Sequence, residues 1–358
     1  MRSRVFALLL LVALSARADD LDSVLEKIRA EHGLPALAAI TTSADGTIEL
    51  SAVGTRRSDR PDRVTTTDLF HIGSNTKAMT STMIATLVES GALKWDTRAS
   101  DVFHDVHPQF RELTLTQLLD HSAGIPAFDD LADFKRAMKW PGTPKERRRR
   151  FAIDTLQHAP LYPPGSKHLY SNAGYAIAAA MAEEVTGKSW EELIVDRVMK
   201  PLSISIAIGW PARHGASQPW GHTPKSRHRW KPDNPDGAYQ VPDVVRPAGD
   251  VSIALEEYAK FLRLHLRGLR GDEGLLLRAN TIRRMHTGEK FGLGWGLQTI
   301  RDLPASVHAG SADTFYAIVA LLPTKNLGFA VFTNAAGKDA EAATKAALRA
   351  MIIRQLGN

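Results

Sequence analysis

Ser74 and Lys77 lie three residues apart in the segment Phe70–Thr80, which reads FHIGSNTKAMT. Residues three apart share one face of a helix, so the Ser74 hydroxyl and the Lys77 amine can meet. A serine hydroxyl is a weak nucleophile at neutral pH and needs a neighbouring base, which a lysine becomes when desolvation lowers its pKa. The pair is therefore a candidate nucleophile and base. Taken alone, the same spacing also fits a helix with a capping serine and a solvated lysine.

Two further motifs add polar groups that suit the same chemistry. Tyr170 and Asn172 stand just before a predicted helix, where a phenol can relay a proton and an amide can hold a substrate. His308, Gly310 and Ser311 follow a predicted strand and continue into a turn of small residues. A glycine there lets the backbone approach a ligand closely, so that the next N–H, that of Ser311, can point at an oxyanion.

Together these motifs resemble the serine β-lactamase and penicillin-binding-protein superfamily, whose relatives carry Ser-x-x-Lys followed by two further motifs. The closest resemblance is to its branch of class C β-lactamases, D-alanyl-D-alanine carboxypeptidases and family VIII esterases. It extends over nearly all of residues 19–358 through four more stretches in the same order: TLTQLLDHSAGIP (114–126), PAGDVSIALEEYAKFL (247–262), FGLGWG (291–296) and VFTN (331–334).

The resemblance implies a serine hydrolase that works through an acyl-enzyme on an ester, an amide, a D-amino-acyl peptide or a β-lactam. It implies that Ser74 attacks the acyl carbon, Lys77 accepts its proton and Tyr170 relays a proton to the leaving group. The implied oxyanion hole consists of the backbone N–H groups of Ser74 and Ser311. The implied substrate-binding residues are Asn172, His308 and Gly310, and no cofactor or metal is expected.

The third motif departs from the superfamily pattern. Penicillin-hydrolysing members usually have Lys-Thr-Gly there, whereas this chain has His308, Ala309 and Gly310. A neutral imidazole supplies less positive charge to a substrate carboxylate than a lysine, and Ala309 lacks a hydroxyl donor. The sequence therefore favours ester or peptide hydrolysis over efficient β-lactam turnover.

The elements that must position these residues follow from the pattern of apolar residues and turns. Helices are predicted at Leu21–His32, Ser74–Glu89, Asn172–Val185, Ser189–Met199 and Ala340–Gln355. Strands are predicted at Leu37–Thr42, Thr47–Val53, Phe291–Ile300, Ser306–Ala309, Phe315–Leu322 and Leu327–Thr333. Strands at both chain ends around a helical middle indicate an α+β fold with one antiparallel sheet. We expect a single catalytic domain over 19–358, with a sheet subdomain (roughly 19–73 and 245–358) and a mostly helical subdomain (roughly 74–244).

Composition and the first residues indicate an exported globular protein. Of 358 residues, 44% are apolar and 23% charged, and there is no cysteine. Residues 1–18 combine arginines, an apolar run and an Ala16-Arg-Ala18 site, which is typical of a secretory signal peptide. That run is too short to span a bilayer, so we expect a periplasmic or secreted protein without stable membrane insertion. The oligomeric state stays open.

Two other functions remain open on the sequence alone. The first is a protein that binds penicillin or cell-wall peptide with little or no turnover. The second is an envelope protein that binds a polymer through Lys145–Arg150, which reads KERRRR. We expect this run to be a solvated helix face and expect no nucleic-acid partner. Trp210 and Trp220 fit an acyl-side pocket and core packing equally well.

Overall fold

The structure is a computed structural model that describes residues 20–226, 228–237 and 240–357. The predicted signal peptide, residues 1–18, lies outside the described residues. The elements on which the site depends are the main sheet, two smaller sheets and the helices between them.

The main sheet is antiparallel and is assembled from both ends of the chain, as the sequence predicts. Its strands are β1 (Ala36–Thr42), β2 (Thr47–Gly54), β8 (Gly296–Ile300), β9 (Leu303–Ser311), β10 (Tyr316–Leu322) and β11 (Leu327–Thr333). They lie in the order β2-β1-β11-β10-β9-β8. The two chain ends join where β1 pairs with β11, with Ile40 opposite Ala330.

Two smaller sheets accompany the main sheet. One consists of β3 (Phe70–His71), β7 (Val251–Ile253) and β4 (Ile206–Ile208), and the other is a hairpin of β5 (His222–Ser226) and β6 (Arg229–Pro232). The first of them matters for the site, because β3 leads through Ile72 and Gly73 to Ser74.

The helices of the described residues occupy the middle of the chain and both ends. They are α1 (Leu21–Glu31), α2 (Thr76–Glu89), α3 (Ala99–Val102), α4 (Leu115–Leu119), α5 (Leu131–Ala137), α6 (Pro144–Gln157), α7 (Asn172–Thr186), α8 (Trp190–Ile194), α9 (Arg246–Gly249), α10 (Leu255–Arg270), α11 (Ala279–Met285) and α12 (Lys338–Leu356). Within this part of the chain, no helix combines the length and the apolar character needed to cross a bilayer.

Helices cover both faces of the sheet, which explains why β1 and β11 are buried along their whole length. Alternate side chains of a strand point to opposite faces. Phe329 and Val331 face the core formed with α1 and α12, whereas Ala330 and Phe332 face the larger core formed with α10. A strand buried on both faces reads as a continuous apolar run, which is how β11 appears in the sequence.

The structure corrects three boundaries. The strand predicted from Phe291 begins only at Gly296, because Gly294 has a φ of +87° and lies against the backbone of α2. The strand predicted at Ser306–Ala309 is longer, because β9 also includes Gly310 and Ser311, expected in a turn, and pairs with β10 as far as Ser311 opposite Tyr316. The helix predicted at Ser189–Met199 is α8 followed by a π-helical turn at Val195–Met199.

Candidate active site

The candidate nucleophile Ser74 lies in a short 3-10 turn, Gly73–Asn75, between strand β3 and helix α2. Helix α2 is almost entirely buried, so its first turn is held rigidly in the core. The Nζ atom of Lys77 lies 3.1 Å from the Oγ atom of Ser74. The hydroxyl and the amine therefore meet, as their spacing in the sequence predicts.

Lys77 is buried completely, and its Nζ atom is surrounded by oxygen atoms of uncharged groups. Nζ lies 2.7 Å from Oδ1 of Asn172 and 2.7 Å from the carbonyl oxygen of Ala248. Its hydrogen-bond partners among the described residues include no carboxylate that would stabilise a positive charge. Burial accordingly lowers the pKa of Lys77 well below its usual value.

The protonation state of Lys77 decides how these contacts are used. Nζ lies within hydrogen-bond distance of three oxygen atoms, and an ammonium would donate to all three. In the neutral amine that burial favours, the carbonyl oxygens of Asn172 and Ala248 take the two N–H donors and the lone pair faces the Ser74 hydroxyl. The geometry supplies what a general base requires, namely an unprotonated acceptor within hydrogen-bond reach of the nucleophile.

Tyr170 lies opposite this pair, and its hydroxyl is close enough to the Ser74 side chain to interact with it. Lys77 Nζ lies 4.7 Å from the centroid of the Tyr170 ring. Desolvation of the hydroxyl raises the pKa of Tyr170 far above its usual value, against the smaller opposing effect of Ser74. Tyr170 is therefore a neutral phenol at pH 7, able to donate one proton while it accepts another.

Asn172 opens helix α7 next to the N-cap Ser171 and holds Lys77 in place. Its Oδ1 accepts from Lys77, and its Nδ2 donates to the carbonyl oxygen of Phe128 at 3.1 Å. An amide nitrogen carries two N–H donors, so one remains for a substrate. The structure thus brings the second predicted motif to the first.

The strand β9 brings Gly310 and Ser311 against the Ser74 turn. A Cβ atom at Gly310 would lie 2.0 Å from the carbonyl oxygen of Ile72 and 2.7 Å from the Ser74 nitrogen. A Cβ atom at Gly73, whose φ is +49°, would lie 2.7 Å from the Ser311 nitrogen. Only glycine fits at either position, and the two N–H groups of the expected oxyanion hole lie on neighbouring backbones.

His308 lies two residues before Gly310 on β9 and is nearly buried. Its Nδ1–H donates to the carbonyl oxygen of Ala309 at 2.8 Å, which leaves Nε2 as an acceptor. Burial lowers the pKa of His308 to about 4, and a protonated Lys77 would act in the same direction. The imidazole is therefore neutral at pH 7 and does not replace the lysine of the usual third motif as a positive charge.

Sequence reasoning missed His71 and Asp250. The Nδ1 atom of His71 accepts a hydrogen bond from the Gly73 nitrogen at 3.2 Å, and Nε2 lies 3.1 Å from Oδ1 of Asp250. This pair fixes the tautomer of His71 and braces the turn that carries Ser74. The two residues are 179 positions apart, so no local pattern could have paired them.

His121 braces the segment that carries Tyr170. Its Nδ1 accepts from the Ser171 nitrogen at 3.2 Å, and its ring centroid lies 4.5 Å from that of Tyr170. Burial lowers the pKa of His121 well below its usual value. Because the ring is neutral at pH 7, its Nδ1 atom can accept the hydrogen bond from the Ser171 nitrogen.

A pocket of about 290 Å³ opens beside the far end of β9, close to Ser311. The lining includes both tryptophans that the sequence singled out, a phenylalanine and two carboxylates: Trp210, Trp220, Phe315, Asp233 and Asp313. Trp210 stacks on Phe315 and also lies 4.7 Å from the His71 ring, between centroids. Trp210 is therefore both a core residue and a wall of the pocket. Among the described residues, no group of three or more His, Cys, Asp or Glu is arranged to hold a metal ion.

Comparison with known proteins identifies relatives in sequence and in fold. The sequence profile of the beta-lactamase family matches residues 21–352. Penicillin-binding protein 4 of Amycolatopsis lactamdurans is 27% identical over 339 residues, which cover 86% of this chain and 83% of that protein. A putative D-alanyl-D-alanine carboxypeptidase of Escherichia coli K12 is 25% identical over 66% of this chain and 60% of its own length. The octameric penicillin-binding protein homologue from Pyrococcus abyssi has the same fold, with a TM-score of 0.78 at 23% identity over 93% of this chain and 76% of that one.

Proposed function

Since this chain belongs to the beta-lactamase family, a family with hydrolase members, we propose that it is a serine hydrolase that forms an acyl-enzyme at Ser74. The observation that carries the proposal is the surroundings of Lys77. A lysine that is fully buried, bound to two carbonyl oxygens and 3.1 Å from a serine hydroxyl is placed as a base rather than as a charge. A merely structural lysine would be expected to pair with a carboxylate.

In the acylation step, the Ser74 hydroxyl proton passes to the lone pair of Lys77 while Oγ bonds to the acyl carbon. The carbonyl electrons move onto the substrate oxygen. The N–H groups of Ser74 and Ser311 stabilise that oxygen, and donors fixed in advance act more strongly on it than water would. Asn172 keeps Lys77 in line throughout, because its Oδ1 holds Nζ at 2.7 Å.

Tyr170 completes the proton path. Its phenol gives its proton to the leaving oxygen or nitrogen as the bond to the acyl carbon breaks, and it regains a proton from the Lys77 ammonium. In deacylation the same groups take a proton from water and return one to Ser74. Both residues end each cycle neutral, which suits the environment that disfavours their charged forms.

The substrate class follows from the groups around the nucleophile. A neutral His308 offers no positive charge for the carboxylate of a β-lactam. The aromatic pocket next to Ser311 suits a bulky acyl group, and its two carboxylates, Asp233 and Asp313, outnumber its one cation, Lys231, which suits an acyl group that carries an amine. We therefore assign esters and aminoacyl peptides as substrates in preference to β-lactams.

The test is mass spectrometry of the intact protein exposed in parallel to a short-chain aryl ester, a D-Ala-D-Ala peptide and a penicillin. We expect turnover of the aryl ester, with an acyl adduct in the wild type. Ser74→Ala should lose both adduct and turnover. Ser90→Ala, which removes a hydroxyl bound to the carbonyl of Leu87 on the same helix, should retain them.

Two outcomes would reject parts of the proposal. Undiminished ester hydrolysis by Ser74→Ala would exclude Ser74 as the nucleophile. Adducts that form on Ser74 and persist without turnover for every substrate would favour the binding protein over the hydrolase.

A further inference from the structure

A groove of about 790 Å³ lies on the α12 side of the main sheet, behind the strand that carries Gly310. Side chains alternate along β9, so Gly310 faces the Ser74 turn while Val307 and Ala309 face the groove. The groove thus lies on the opposite side of β9 from the Ser74 turn, although His308 is part of both the groove lining and the candidate active site.

The walls of the groove are aliphatic. Helix α12 packs mainly on β10 and β11, which leaves the backs of β8 and β9 less covered. The sheet contributes Ile300, Val307 and Ile318, and the helix contributes Leu348, Ile352 and Ile353. A volume of several hundred Å³ with apolar walls is in the range of small-molecule sites.

Positive charge lines the rim, and no acidic residue is part of the lining. The cations are Arg301 in the β8–β9 turn and, one helical turn apart on α12, Lys345 and Arg349. Arg349 takes part in no ion pair with the described residues. The Lys345 ion pair with Glu341 is long, at 3.7 Å, and exposed, so it contributes little.

We propose that this groove binds one long-chain fatty acid, with its carboxylate between Arg349 and Lys345 and its alkyl chain along the aliphatic walls. The charge complementarity selects the head group, and the continuous apolar lining selects an unbranched chain over a compact polar anion. The assignment does not depend on the catalytic proposal, because none of the residues that bind the ligand takes part in the reaction.

The test is a titration of the full-length protein with cis-parinaric acid, a fluorescent fatty acid, followed by displacement. We expect saturable binding at one site and displacement by decanoate, dodecanoate and tetradecanoate. Each added methylene should strengthen binding by up to about fourfold until the groove is full. Dodecanol, which lacks the carboxylate, should bind about tenfold more weakly than dodecanoate.

Variants locate the site. Arg349→Glu should weaken dodecanoate binding about tenfold or more, because it replaces attraction by repulsion. Arg60→Glu makes the same charge change at an exposed arginine elsewhere and should leave binding unchanged. Ile353→Trp, which fills the groove without a change in charge, should weaken binding as well. An excess of the D-Ala-D-Ala peptide, a candidate ligand of the Ser74 cleft, should not displace the probe.

Several results would overturn the proposal. The absence of saturable binding by the wild type would do so, as would equal affinity for dodecanol and dodecanoate. Binding that survives both Arg349→Glu and Ile353→Trp would put the fatty acid elsewhere on the protein. Binding only to anionic vesicles, and not to free dodecanoate, would assign the cations to a membrane surface.

Discussion

At the scale of single residues, the decisive property is the missing charge on Lys77. An ammonium in the same position would have no lone pair for the Ser74 proton. Burial without a carboxylate partner favours the neutral amine, and the positions of Asn172 and Ala248 suit it. The oxygen atoms of Asn172, Ala248 and Ser74 surround Nζ in place of water, and the loss of hydration lowers the pKa of Lys77.

Lys77→Arg replaces one basic residue by another but should abolish acylation. A guanidinium does not lose its proton in proteins, so it cannot accept the Ser74 proton. In the wild type, kcat/KM for an aryl ester should rise with pH as Lys77 loses its proton, and the midpoint should lie well below 10.5, since burial depresses that pKa. Removal of a base of this kind typically costs about 10² to 10⁴ in rate. A pH-rate profile with burst kinetics measures both effects. Acylation by the Lys77→Arg protein at the wild-type rate would exclude Lys77 as the base.

The sequence could predict this pair because the contact is local. Residues three apart on a buried helix need only the helix to meet, and the helix is signalled by its apolar residues. His71 and Asp250 show the opposite case. Their contact depends on β3 pairing with β7 across 179 positions, and neither residue type nor spacing indicates it.

At the scale of elements, the arginine run on α6 shows how a charged face can serve the core. The prediction of a solvated face is wrong for Arg148, whose side chain is fully buried. Arg148 contacts Glu183 on α7 at 2.6 Å, and it also contacts Glu191 on α8. The sequence held a signal: Arg148 shares its face with Phe151, Ala152 and Leu156, all buried at helical spacing. Arg149, on the other side of the helix, is exposed.

Arg148→Met should destabilise the protein by about 3 to 5 kcal/mol, because it leaves the buried carboxylate of Glu183 without its partner. Arg149→Met is the matched control, since its ion pair with Glu184 is exposed, and it should change stability by no more than about 0.5 kcal/mol. Urea unfolding of the two variants and the wild type gives the comparison. Equal midpoints for both variants would contradict a structural role for Arg148. The same result would reopen the hypothesis of a polymer-binding run.

At the scale of the whole molecule, the sheet was predictable and the surroundings of its histidines were not. Apolar runs and turn residues indicate each strand of the main sheet locally, and strands at both chain ends indicate that one sheet joins them. Which histidines are buried depends instead on packing between distant elements. His265 on α10 and His286 after α11 lie 2.9 Å apart, and His286 reaches Ser306 on β9 at 2.7 Å.

Buried neutral histidines make the stability of the whole protein depend on pH. Burial lowers the pKa of His265 to about 3, of His222 to about 4 and of His308 to about 4, and it lowers those of His121 and His286 well below their usual value. In the unfolded chain these groups titrate near pH 6.5. Between pH 6.5 and about 4 the unfolded state therefore binds more protons than the folded state. Stability must fall as pH falls through that window.

Each such histidine should add up to about 1.4 kcal/mol per pH unit to the slope of unfolding free energy against pH. Urea unfolding at intervals from pH 7.5 to 4.5 measures this slope above the range in which most carboxylates titrate. His265→Gln keeps a polar side chain but removes one titrating group. The slope of unfolding free energy against pH should therefore be smaller in this variant by the contribution of one histidine. Ser90→Ala, which removes no titrating group, should leave the slope unchanged. An unfolding free energy that is constant between pH 7.5 and 5 would contradict the neutral burial of these rings. Such a result would also remove the basis for a neutral His308 beside the nucleophile.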